Sequence, residues 1–354
     1  MLPSRFRALF WTSALCALTC ACGDDSPAEQ TGSPNEKSDA GAAGEPGNAG
    51  KSGAAGKAGS GNAGKAGAGG KAGGGSGAGG SSEPRAGGSS IDFGEDSTPV
   101  TIRFAAKVGD QAFKCGEQYA KLGKASTSAT PADLRFYVQD LKLITKEGRA
   151  VPVQIDTRAP FQSADVALLD FEDATGSCSG DAQTNDSITG RVAKGAYNAI
   201  RFTNGVPIAL NHADPKQFPA PLKSPGMSWN WLLGLRFMKV ELQAEGASAE
   251  DAGPAVATGG ALHLGSTACS GNPAAGQISC KKPNRNSVLL TDYTLDERVI
   301  VLDVAKIFSD SDLAQGAECH AATAVCEGMF QSLGVDYASG SAANAQSAYH
   351  LQPR

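Results

Sequence analysis

Between positions 100 and 108 apolar and polar side chains alternate, with Val100, Ile102, Phe104, Ala106 and Val108 set against Thr101, Arg103, Ala105 and Lys107. A period of two puts one set on a single face, so the segment predicts a strand with one buried side. Leu134–Ile144 repeats the pattern and ends at Lys146-Glu147-Gly148. Further strands are predicted at Val151–Ile155, Ala199–Thr203, Leu232–Ala244, Ala261–Leu264 and Arg298–Val304, separated by turn sequences such as Asn204-Gly205 and Gly259-Gly260. Helical spacing is confined to short pieces at Ser163–Leu169, Val304–Ser309 and Val325–Leu333. Strands at this density without regular βα alternation predict an all-β fold, an antiparallel β-sandwich with short helices.

The first 97 residues do not share this pattern. Residues 1–21 join Arg5 and Arg7 to an apolar stretch through Leu18, which reads as a secretory signal too short for a stable span. Ala21-Cys22-Gly23 at its end resembles a bacterial lipoprotein junction, which makes Cys22 the expected lipid-bearing first residue; Cys20 is the rival. Residues 22–97 are Gly, Ala, Ser, Lys and Asn with almost no aliphatic content, and Lys-Ala-Gly recurs at Lys57, Lys65 and Lys71. Such a stretch buries too little apolar surface to offset its chain entropy, so it is expected to be a disordered tether ahead of one domain over 98–354.

Charge narrows the partners. Of the chain's 31 basic and 36 acidic residues, positions 1–90 hold 8 and 7, which leaves residues 91–354 at −6. A mildly acidic domain is a poor nucleic-acid binder. Cysteine narrows the compartment. Six cysteines follow the signal region, Cys115, Cys178, Cys269, Cys280, Cys319 and Cys326, an even number in an exported chain. The short Cys269–Cys280 and Cys319–Cys326 spacings suggest local bridges, which leaves Cys115 with Cys178. Thiolate metal sites commonly use close pairs of the CxxC type, which this spacing lacks.

Enzyme signatures are missing: no HExxH, no phosphate-binding P-loop, no GxSxG elbow between strand and helix. No catalytic residue is assigned, and the chain is read as a non-enzyme. The acids Asp170, Glu172 and Asp173 form at most a weak calcium site, and the Asn185-Asp186-Ser187 sequon is read as accidental. Two features can carry chemistry. Trp229 and Trp231 are the only tryptophans beyond the signal and stand two apart, so on a strand both indoles would line one face with Met227. The four histidines are His212, His263, His320 and His350; imidazole with a thioether suits copper in both common oxidation states. His320 and His350 are read as ordinary surface residues.

These motifs occur in a recognisable order. Val100 to Asp110, Phe113-Lys114-Cys115-Gly116, Phe136-Tyr137-Val138, Gly205-Val206-Pro207, Asn211-His212, Met227-Ser228-Trp229-Asn230-Trp231 and His263-Leu264-Gly265-Ser266 resemble MbnP-family proteins over nearly all of residues 98–336. The family comprises periplasmic copper-binding proteins, the four-cysteine members of a "metallo-mystery pair". The resemblance implies a partner of the MbnH type, a di-haem enzyme like cytochrome c peroxidase that oxidises a tryptophan of its partner to kynurenine. Carried over, it implies that Trp229 or Trp231 is the modified residue, that His212 and His263 are copper ligands, and that Met227 and the modified tryptophan are further candidates. Two departures stand out: Ser228 where the family commonly has an aromatic, and Gly234-Leu235-Arg236-Phe237 where it often has Gly-Tyr-Lys-Phe. The expectation is therefore a lipid-anchored extracytoplasmic copper protein, in the periplasm or at the cell surface. The alternative is a surface module whose tryptophan pair binds carbohydrate or protein.

Overall fold

A computed structural model describes residues 96–244, 259–320, 323–343 and 345–354. The expected signal peptide, the expected lipidation site Cys22 and the expected tether to residue 95 lie outside the described residues.

Two sheets enclose the core. The first runs in the order β17 (Tyr349–Pro353), β15 (Arg298–Asp303), β1 (Ser97–Val108), β8 (Ser187–Ala193) and β6 (Gln154–Ile155), with β2 (Gln111–Ala112) beside β1. The second runs β14 (Asn286–Thr291), β9 (Tyr197–Asn204), β4 (Thr127–Thr145), β10 (Met238–Ala244), β11 (Gly259–Leu264) and β16 (Ala317–Cys319). Its long strand β4 also pairs with β3 (Tyr119–Leu122), β5 (Ala150–Pro152) and β7 (Val166–Asp170). A separate hairpin joins β12 (Thr267–Asn272) to β13 (Gln277–Lys282). The helices are short: α1 (Ile208–Asn211), α2 (Val304–Ile307) and α3 (Cys326–Leu333).

The predicted sandwich is present, with one change: β15 pairs in parallel with β1, and β16 in parallel with β11. Both pairs join strands far apart in sequence, and a parallel neighbour needs a crossover, not a tight turn. The alternation in β1 turns Ile102, Phe104, Ala106 and Val108 inward, where Phe104 meets Phe136 and Phe202 edge-on. On β4 the inward residues are Leu134, Phe136 and Val138.

Two local expectations fail. Ser163–Leu169 reads as helical, but Val166–Asp170 is a strand with all five residues buried, because it is covered on both faces and shows no alternation. The strand expected from Leu232 starts at Met238. All three disulfides are as expected: Cys115–Cys178, Cys269–Cys280 and Cys319–Cys326. Cys269 and Cys280 face each other across the β12–β13 hairpin. Among the described residues no helix is long and apolar enough to cross a membrane.

Candidate metal centre

The outer face of β4 is not open to solvent. Asp133, Arg135 and Tyr137 are all buried, because residues 205–237 fold back over them. That segment brings its own apolar cluster, in which Met227, Leu222, Phe218, Leu235 and Phe237 surround Tyr137. Polar hooks fix it to the sheet. Tyr137 Oη donates to the Pro221 carbonyl at 2.9 Å, and Arg135 Nη1 donates to the Pro225 carbonyl at 2.8 Å. Arg135 itself is clamped by Asp133, which also takes Lys239 Nζ at 2.7 Å. Burial works against the Arg135 charge, but the adjacent Asp133 outweighs it and holds the guanidinium above its usual range.

The tryptophans occupy a tight turn, not a strand. Ser228 and Leu235 form an isolated bridge, the Trp229 N–H donates to the Gly234 carbonyl at 3.1 Å, and the Gly234 N–H donates to the Asn230 carbonyl at 2.8 Å. Gly234 has φ +80°, and a Cβ there would come within 2.8 Å of Asn211, whose Oδ1 accepts from the Leu235 N–H. Both constraints favour glycine. The turn sends the two indoles to different neighbours. Trp229 lies against Gly265, where a Cβ would sit 2.3 Å from the ring, with the Arg236 guanidinium 5.2 Å from the ring centre. Trp231 donates its Nε1–H to the His212 carbonyl at 2.8 Å. Both rings border a groove of about 280 Å³ that also touches Phe218, Leu222 and Pro225. At the tip of the turn Leu232 and Leu233 are 37% and 40% exposed.

His212 follows α1 and is half-buried. Its Nε2 lies 2.9 Å from Asn211 Nδ2 and 3.3 Å from Cys280 Sγ, and its Nδ1 lies 3.4 Å from the Trp231 carbonyl. Burial lowers its pKa, with Arg285 adding to the effect and the Trp231 carbonyl opposing it. A neutral imidazole is the form that binds metal. A ring nitrogen of His212 and the sulfurs of Cys269 and Cys280 lie within 4.8 Å of one another. Those sulfurs are bonded to each other, so they offer no thiolate.

His263 stands elsewhere, on β11, in a row of charges running across the outer face of the sheet. Register sets Arg135 of β4 beside Lys239 of β10, and Lys239 beside His263 of β11. The next row runs Asp133, Glu241, Ala261 and Glu318. His263 Nε2 meets Glu241 Oε1 at 2.6 Å, and its Nδ1 faces His320 Nδ1 at 2.9 Å. Burial pushes the Glu241 carboxyl up, but the bond to His263 and the charge of Lys239 outweigh it and bring it to about 2. His320, just beyond β16, was not recognisable as a site residue from the sequence. Its only signal is its place next to Cys319, and the parallel β11–β16 pairing that brings it to His263 leaves no local mark.

The structure thus brings Trp231 to His212 and Trp229 to Gly265, two residues beyond His263. Met227 is fully buried in the apolar cluster. His350, on β17, is exposed. The acids at 170–173 are structural: Glu172 accepts from the N–H groups of Ala174 and Asp181, and Asp173 from that of Thr175. Asp170 is 2% exposed; burial drives its pKa up to about 8, against the opposing charge of Arg135.

The MbnP family model matches residues 97–321. Among solved structures, MbnP from Methylosinus trichosporium is 27% identical, with a TM-score of 0.65, covering 73% of this chain and 99% of that one. No curated protein matches.

Proposed function

The chain belongs to the MbnP family, and from that membership we propose that it is an exported, lipid-anchored copper-binding protein, itself the substrate of a di-haem enzyme and not a catalyst. Three disulfides favour an oxidising compartment. The observation that carries the reading is the hydrogen bond from Trp231 Nε1 to the backbone carbonyl of His212, a residue whose imidazole pKa burial lowers. An intact indole has no free lone pair for a metal. Kynurenine does: oxidative cleavage of the indole inserts two oxygens, hydrolysis releases one carbon as formate, and the ring nitrogen becomes an aromatic amine.

In this reading the partner enzyme and a peroxide or O₂ oxidant convert Trp229 or Trp231. His212 and His263 supply imidazoles, the donor type that suits copper. Met227, buried in the apolar cluster, is a further candidate ligand through its thioether. Exposed Leu232 and Leu233 at the tip of the turn give an approaching protein an apolar contact beside the indoles.

The test is co-production with an MbnH-type partner, followed by mass spectrometry of the peptide spanning Met227 to Arg236. The expected change is one oxygen gained and one carbon lost, about 4 Da, with a gain in copper affinity that His212→Ala reduces. Phe at each tryptophan in turn identifies the modified one. Two intact tryptophans and unaltered binding by the His212 variant would overturn the copper reading, and binding to a sugar or protein through the tryptophan pair would then become the better account.

A further inference from the structure

We infer that His263 and His320 form a metal-binding pair for a divalent first-row cation, and that this pair works with both tryptophans intact. It shares His263 with the copper reading above and rests on nothing else in it.

The geometry has three parts. First, each ring turns its Nε2 to a carboxylate: His263 to Glu241 at 2.6 Å, and His320 to Glu318 at 3.4 Å. A carboxylate only accepts, so the nitrogen that faces it carries the hydrogen, and in a neutral imidazole the other nitrogen keeps its lone pair. Carboxylates behind the rings of metal-binding histidines fix the tautomer in this way. Second, the two remaining nitrogens point at each other. Nδ1 of His263 and Nδ1 of His320 are 2.9 Å apart, with the rings inclined at 65°. Two lone pairs at that distance repel unless a cation lies between them. Bonds of about 2.0–2.1 Å to imidazole nitrogen span this separation at close to a right angle, the angle between neighbouring ligands in tetragonal Cu(II).

Third, the pair is anchored below and open above. His263 is 7% exposed, while His320 is exposed and leaves room for water or another ligand. The backbone under His320 is held by the pairing of β16 with β11 and by the Cys319–Cys326 disulfide to α3. The nearby Lys239 ammonium is already engaged, at 2.7 Å from Asp133 and 3.1 Å from Glu241.

The experiment uses full-length protein made without any di-haem partner, with both tryptophans verified intact by mass. Cu(II) is titrated in and followed by calorimetry and electron paramagnetic resonance. Expected is one tight equivalent with hyperfine structure from two imidazole nitrogens. His320→Ala should weaken binding by about tenfold or more and remove one nitrogen from the spectrum, while the exposed His350→Ala leaves both unchanged. Because His320 is exposed, its loss should not lower the melting temperature, which separates lost binding from misfolding. An unchanged spectrum and affinity in His320→Ala overturns the inference. So does parent protein that takes up no Cu(II), since the pair then shares only a proton. If unmodified protein binds nothing but oxidised protein binds copper through His212, this inference fails and the kynurenine reading stands.

Discussion

The two faces of strand β4 carry the same amount of burial by different means. Inward, Leu134, Phe136 and Val138 pack into a continuous apolar core. Outward, Asp133 and Arg135 are equally hidden but are held by ion pairs and by hydrogen bonds to carbonyls of the covering segment. Apolar packing is tolerant of exchange if volume is kept, whereas a buried charge demands its partner. The inner face therefore makes the sandwich, and the outer face decides where residues 205–237, with their tryptophans, come to rest.

The comparison is broken most severely from the inside. Phe136→Ala should cost about 3–5 kcal/mol and lower the denaturant midpoint of the whole domain. On the outside, Asp133→Ala leaves the buried Arg135 without its ion-pair partner, at a cost of about 3 kcal/mol, while the half-buried Lys239 keeps Glu241. Its distinguishing mark is a changed tryptophan emission below the unfolding transition, because the Pro225 anchor is disturbed first.

A third test uses pH. The native pKa of Asp170, about 8, lies above that of the unfolded chain, so the folded state holds a proton that the unfolded state has released. The protonated carboxyl contributes stability that is complete near the unfolded pKa and declines as pH rises towards 8. Between about pH 5 and 7 the loss should reach about 2 kcal/mol, and Asp170→Asn should flatten that slope. The smallest expected effect is Gly265→Ala. The new methyl group meets the Trp229 ring, for about 1–2 kcal/mol, with a shift in emission that Trp229→Phe abolishes.

Much of the inner face could be read directly from the chain. Alternation marked β1 and β4, and the short cysteine spacings marked two of the bridges and, by remainder, the third. The outer face could not be read in this way. Asp133 and Arg135 alternate with apolar residues just as solvent-facing positions do, and only the covering segment makes them interior. The tryptophans satisfied the spacing of a strand, while Asn230 and Gly234 built a turn that sends each indole to a different neighbour. His320 reached His263 through a parallel strand pair, which adjacent residues cannot announce.

The guanidinium over Trp229 also bears on where an electron would be taken. Removing one electron from that indole would create a positive hole 5.2 Å from the Arg236 cation, a repulsion of about 3 kcal/mol at an effective dielectric constant of 20. Trp231 instead directs its N–H at a carbonyl oxygen, whose negative end draws off the charge that ionisation creates. Two indoles two residues apart thus stand in opposite electrostatic surroundings, one beside a cation and the other against the negative end of a carbonyl.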